Sequence, residues 1–182
     1  MKIAVAVLLP LTMLLSGAFQ GGKPQLIAQQ TEQIRWMSWE EALQRNRTEK
    51  RKIFVDVYTH WCGWCKRLDN STFKDPYIVS YINKYYYPVK FDAETKEDIV
   101  FNNKTYRFVN NGMRGYHELA AEITRGRLSY PTLVFIDENL EVIQAIPGYR
   151  EPLELEMILT YFASDAHKRT PWEIFKHNYK RN

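Results

Sequence analysis

The chain has 182 residues, of which 45% are hydrophobic, 14% aromatic and 25% charged, the balance of a globular protein with room for one full-sized domain. Twelve Tyr, nine Phe and five Trp supply more burial than a solvated coil carries, which excludes disorder as the main state. Two Cys three positions apart exclude a disulfide-stapled miniprotein. Lys+Arg of 25 against Asp+Glu of 21 gives +4, scattered without a basic run, so nucleic acid is not an expected partner.

Lys2, the apolar run Ile3 to Leu15 and the small residues Ser16-Gly17-Ala18 match a secretory signal peptide cut after Ala18. A permanent membrane anchor is the alternative, but a span wants roughly 20 apolar residues and Pro10 interrupts this run. A lipid anchor needs a Cys at the cut, and there is none. The expected organisation is a signal peptide over 1–18, a loose Gly- and Gln-containing leader over 19–33 and a single domain over 34–182. The expected site of work is the periplasm or the exterior, where disulfides are permitted, with no stable membrane insertion after cleavage.

Ile34 to Met37 reads as a short strand, and Ser38-Trp39-Glu40-Glu41 as a capping box opening a helix to about Arg47. Lys52 to Tyr58 (KIFVDVY) reads as a strand buried on both faces, with Asp56 its one anomaly. A helix follows Cys62 to about Asp69. Asp75-Pro76 opens another, with Ile78, Tyr81, Ile82 and Tyr85 on one stripe. Tyr87 to Phe91 is the next strand, and Tyr85-Tyr86-Tyr87 reads as core and strand edge.

Ile99 to Val109 reads as a hairpin turning at Asn102-Asn103, and Tyr116 to Arg125 as a helix stopped by Gly126. Thr132 to Ile136 and Glu141 to Ile146 form strands around a Glu138-Asn139 turn, ended by Pro147-Gly148. Pro152 opens a helix with Leu153, Met157, Ile158, Tyr161 and Phe162 on one face. Thr170-Pro171 opens a last one, with Thr170 as N-cap and Trp172 and Phe175 clamping onto the domain. The order predicts an α/β fold with a mixed central sheet flanked by helices, its last two strands antiparallel.

Trp61-Cys62-Gly63-Trp64-Cys65-Lys66 lies past the carboxyl end of the buried strand, at a helix start. Helix amides and the macrodipole stabilise a thiolate there. The first sulfur should be exposed and attack, and the second, tucked behind, should resolve. A zinc half-site wants further ligands, for which only His60 and His117 are candidates to approach in space. A purely structural staple gains little from so small a loop.

Asp56 is costly in an apolar strand unless paired or protonated. Six residues before Cys62, it is placed to accept the Cys65 proton, with a satisfied core Asp as the alternative. Lys90, within Val89-Lys90-Phe91, is its natural partner, or else an ordinary edge lysine. Tyr130-Pro131 opens a central strand with a residue that lacks a ladder donor. A cis bond explains it and leaves the Tyr130 backbone free to pair with a client segment; a plain trans proline is the alternative.

From about Trp36 to Phe162 the chain resembles the thioredoxin-fold family, on Trp61 to Lys66, Asp56, Lys90, Pro131 before Thr132, and Gly148. Thr72-Phe73 and Asp75-Pro76 look more like exported thioredoxin-related proteins and the C-terminal domain of the transmembrane thiol:disulfide interchange protein. The resemblance implies a thioredoxin fold with an inserted segment before the cis-Pro strand and an extra C-terminal helix. It implies a thiol:disulfide oxidoreductase that uses Cys62, Cys65, Asp56 and Lys90 without a dissociable cofactor. Trp61, Gly63, Trp64, Tyr130 and Pro131 would then contact client proteins carrying disulfides, and a membrane thiol donor would re-reduce the pair.

Reduction is the expected direction. The family reductases' Gly-Pro is here Gly63-Trp64, which keeps oxidase or isomerase open. The segment Thr95 to Tyr116, with Tyr106, Phe108, Tyr116 and His117, is either a docking element or a hairpin on the sheet edge. A different class, a metal carrier using Cys62, Cys65 and a His, is the remaining alternative.

Overall fold

The computed structural model describes residues 32–110, 112 and 114–181. The expected signal peptide and nearly all of the leader lie outside them. The hydrophobic run KIFVDVY forms β1 (Lys52–Tyr58), buried along almost its whole length. It runs parallel to β2 (Tyr86–Asp92) and antiparallel to β7 (Thr132–Ile136), which in turn pairs antiparallel with β8 (Val142–Pro147), giving the sheet order β2-β1-β7-β8. A parallel pair needs a crossover. Here it is made by α2 (Gly63–Asn70) and α3 (Pro76–Tyr85). Asp75 caps α3 with one carboxylate oxygen that accepts from the Tyr77 and Ile78 amides at 2.9 and 3.1 Å.

Side chains alternate across a strand, so β1 feeds two cores. Ile53, Val55 and Val57 pack with Trp39 and Ala42 of α1 (Trp39–Thr48) and with Leu119 and Ile123 of α4 (Glu118–Ile123). Phe54 points the other way, among Leu68, Ile78, Ile82 and, from α5 (Pro152–Ala163), Leu155 and Leu159. Lys52 and Asp56 share the Phe54 parity. Lys52 is buried and pairs with Glu138 at 2.7 Å and Asp165 at 2.8 Å.

The structure corrects four boundaries. Ile34 to Met37 is not a full strand. Only Met37 bridges Val89, its amide donating to the Pro88 carbonyl at 3.0 Å, because Ser38 caps α1 immediately afterwards. The Asn102-Asn103 hairpin is real, both asparagines taking the positive φ that a tight turn requires. It ends at Tyr106, pairing β3 (Ile99–Phe101) with β4 (Lys104–Tyr106). Phe108–Val109 (β5) instead pairs with Tyr116–His117 (β6).

α4 therefore starts at Glu118 rather than Tyr116. His117 is its N-cap, its Nδ1 accepting from the Leu119 amide at 3.2 Å. Thr170 does not cap α6 (Trp172–Asn178): Pro171 stands at the cap without a side-chain bond, and the Thr170 carbonyl accepts from the Tyr161 hydroxyl. Trp172 and Phe175 do clamp the domain, with ring centroids 5.2 and 4.9 Å from Tyr161. Tyr86 and Tyr87 are buried and Tyr85 is exposed. Among the described residues no helix is long and apolar enough to cross a membrane.

Candidate functional site

Beyond β1 the chain turns through Thr59, His60 and Trp61, and the Cys62 amide donates to the Thr59 carbonyl at 3.1 Å. Cys62 is the N-cap of α2, and its sulfur accepts from the Cys65 amide at 3.0 Å. Cys62 and Cys65 are joined as a disulfide. Contrary to expectation the first cysteine is not exposed in this oxidised form: Cys62 is 4% and Cys65 2% accessible. Its sulfur is folded back over the first turn of α2, bonded to one cysteine sulfur and capped by that residue's amide. Gly63, at the first helical position, is exposed, with open space around the position of a Cβ.

Beneath the crossover lies a charged cluster. Asp56 is fully buried and in register with Lys90 across the β1–β2 pair. The Lys90 ammonium donates to Asp56 Oδ2 at 2.7 Å and also contacts Asp69. Asp69 stands four residues after Cys65, on the same face of α2. The aromatic rings of Trp36, Tyr58 and Phe73 surround that ammonium at 5.2, 5.1 and 5.4 Å. Asp56 Oδ1 is buried without a hydrogen-bond partner among the described residues.

Burial pushes the Asp56 carboxyl up to about 6; Lys90 opposes that shift and the Asp69 charge adds to it. Burial works against the Lys90 charge, yet the two carboxylates hold the lysine above its ordinary range. The satisfied-core-Asp and edge-lysine alternatives do not describe this arrangement, in which one acceptor atom is left open and the cation is shared.

The Tyr130-Pro131 peptide is cis. The Pro131 carbonyl accepts from the Gly148 amide at 2.7 Å, and Gly148 sits at φ +92°, a conformation that favours glycine. The Tyr130 amide and carbonyl make no hydrogen bond among the described residues. Burial, with Glu94 and Asp92 nearby, holds the Tyr130 phenol up to about 12.

Trp61 and Trp64 are 51% and 56% exposed. The Trp61 indole N–H donates to Glu94 at 2.9 Å; its ring meets Tyr130 edge-on and lies under the Arg114 guanidinium. Trp64 lies 5.7 Å from Tyr149, and Arg67 covers both rings.

His60 pairs with Asp92 at 3.2 Å. His117 is buried, facing the Glu97 carbonyl, and burial lowers its pKa. Among the described residues no group of three or more His, Cys, Asp or Glu is arranged to hold a metal. In the 95–116 segment Phe101 and Tyr106 are buried, and Phe101 packs edge-on against Trp39. These two side chains pack the hairpin onto that flank of the sheet, while Val100 on the same hairpin is exposed.

Sequence reasoning missed Asp69, Glu94, Arg67 and Tyr149. Only Asp69 had a sequence signal: an acid one helical turn beyond the second cysteine.

A four-stranded mixed sheet, a crossover helix that opens on a Cys-x-x-Cys disulfide and a cis-proline just before β7 define a thioredoxin-fold protein of the disulfide-oxidoreductase class. The family described as Thioredox_DsbH (Protein of unknown function, DUF255) matches residues 19–148, and the chain belongs to it. Uncharacterized protein B0495.5 of Caenorhabditis elegans is 22% identical over 132 residues, 63% of this chain. The chain spans only 18% of that relative's length.

Among solved structures, a candidate disulphide-isomerase from Bacteroides thetaiotaomicron is 30% identical, covering 75% of this chain and 98% of its own, with a TM-score of 0.52. A protein described as DsbH Oxidoreductase shares the fold at 17% identity, covering 80% and 94%, with a TM-score of 0.53.

Proposed function

We propose that the protein reduces disulfides in client proteins through the Cys62/Cys65 dithiol, outside the inner membrane. The Cys62 thiolate attacks one client sulfur, forming a mixed disulfide and expelling the other client sulfur as a thiolate that takes up a proton. Cys65 then passes its proton to Asp56 and attacks the Cys62 sulfur. The Cys62–Cys65 bond forms, the mixed bond breaks, and the client leaves fully reduced with two electrons gained. A membrane dithiol donor returns those electrons. No dissociable cofactor takes part.

The observation that carries this scheme is the buried Asp56 with its open Oδ1. A buried base on the strand that leads into the motif can take the Cys65 proton in the release step; the direction itself rests on the resemblance of Asp56, Lys90 and Pro131 to the reductase pattern. Lys90 and Asp69 are positioning residues that set the Asp56 charge. Trp61, Gly63, Trp64 and the Tyr130-Pro131 backbone form the client contact. Export rests on Lys2, the Ile3 to Leu15 run and Ser16-Gly17-Ala18; a mature N-terminus at Phe19 in the envelope fraction is the expected observation, and an uncleaved cytoplasmic protein would remove that part of the reading.

Cys65→Ser tests the mechanism. Turnover of insulin disulfides should collapse while a Cys62 mixed disulfide accumulates; turnover that survives overturns the scheme. A second reading, oxidation or isomerisation, draws on Gly63-Trp64 and on the Bacteroides relative described as a candidate disulphide-isomerase. The redox midpoint separates them: a value near the roughly −270 mV of a reducing thioredoxin fits reduction, and one near about −120 mV fits oxidation.

A further inference from the structure

We propose that Arg67 reads a carboxylate on the client, so that the protein favours disulfides flanked by Asp or Glu. This deepens the reductase reading and rests on it. Arg67 lies two residues after Cys65 on the exposed side of α2. Its guanidinium carbon is 5.3 Å from the Trp64 ring centre and 5.2 Å from that of Tyr149. The two rings are 5.7 Å apart and inclined by 43°.

Arg45, Arg51, Arg107, Arg150 and Arg181 each meet an Asp or Glu side chain within 3.2 Å. The Arg67 guanidinium meets none among the described residues, although its own peptide carbonyl accepts from the Ser71 hydroxyl. The nearby Glu151 carboxylate is engaged by the Tyr149 hydroxyl at 3.2 Å.

The two rings lie side by side on one side of the guanidinium, holding the stem in place before any ligand arrives and leaving an N–H edge without an acidic partner among the described residues. That edge matches a carboxylate in the two-point geometry peculiar to arginine. The position is tied to the client path. Tyr149 follows Gly148, whose amide holds the Pro131 carbonyl, and Trp64 lies between the two cysteines. A client strand laid along the unpaired Tyr130 backbone therefore runs beside the Tyr149, Arg67 and Trp64 cluster.

The test uses the reduced full-length protein and three short disulfide-bridged peptides, identical except for Glu, Gln or Lys beside the attacked cysteine. The readout is the ratio of second-order rate constants within each protein, so that any general loss of activity cancels. At low salt the Glu peptide should react about fivefold faster than the Lys peptide, the advantage shrinking as salt rises. Arg67→Gln keeps helix propensity and should bring the ratio near one. Arg67→Lys should keep part of it.

A wild-type ratio near one overturns the inference while leaving the reductase reading intact. A ratio undiminished in Arg67→Gln also overturns it, assigning the preference to Lys66 or Arg114. Failure of all three peptides to react overturns the reductase reading itself.

Discussion

Asp56 is a place where chemistry and stability pull against each other. Its carboxyl is raised by burial from 3.8 to about 6, so the folded protein holds that proton more tightly than the unfolded chain. The associated stability is fully present below about pH 4 and is lost as pH rises through about 6, a penalty of about 3 kcal/mol. Asp56→Asn should therefore match the parent in denaturant midpoint near pH 4 and exceed it near pH 8. An equal difference at both pH values would show that ionisation is not the source. The same substitution should slow Cys65 resolution more than Cys62 attack.

Asp69 is the second test at this scale. Its charge helps hold the Asp56 carboxyl up, so Asp69→Asn should shift the acid limb of the resolution rate to lower pH, whereas a purely structural role would change amplitude without moving that limb. Asp56, Lys90 and Pro131 were legible in the sequence because each breaks a local rule of the strand that carries it. Asp69 offers only its spacing from Cys65, and Glu94 and Tyr149 offer no signal at all, until α2, the loop after β2 and the turn after β8 are brought together.

The elements that were read best are those with strong start signals. Asp75-Pro76 opened α3 where expected, and the cap can be measured: Asp75→Ala removes the acceptor for two amides and should cost about 1 kcal/mol of unfolding free energy. Asp75→Asn should recover most of it, and a loss shared equally by both variants would point to charge rather than capping. The elements misread are the shortest. Phe108–Val109 and Tyr116–His117 are two-residue strands, too brief for any period to show, and their pairing is tertiary. His117 looked helical by its neighbours, yet its ring nitrogen makes it a cap, a role the usual preference for Ser, Thr, Asp and Asn does not bring to mind.

Over the whole molecule, α6 and the residues after it close one end of the domain. Glu156 is buried on α5, where its two oxygens meet the Tyr179 hydroxyl at 2.7 Å and Arg181 at 3.1 Å. Deleting residues 171–182 strips both partners and uncovers Tyr161. It should cost about 3 kcal/mol or more, with Glu156→Gln in the shortened chain restoring part. An unchanged urea midpoint would show the segment to be an ornament. The central strand carries a last consequence. Lys52 and Asp56 lie on one side of β1, each matched to opposite charges that only the native alignment supplies. Sliding β1 by a single residue would turn both to the far side, stranding two bare ions in hydrocarbon. The pair thus works as a two-pin key, and the acid proposed for proton transfer would also mark the one register in which the strands fit.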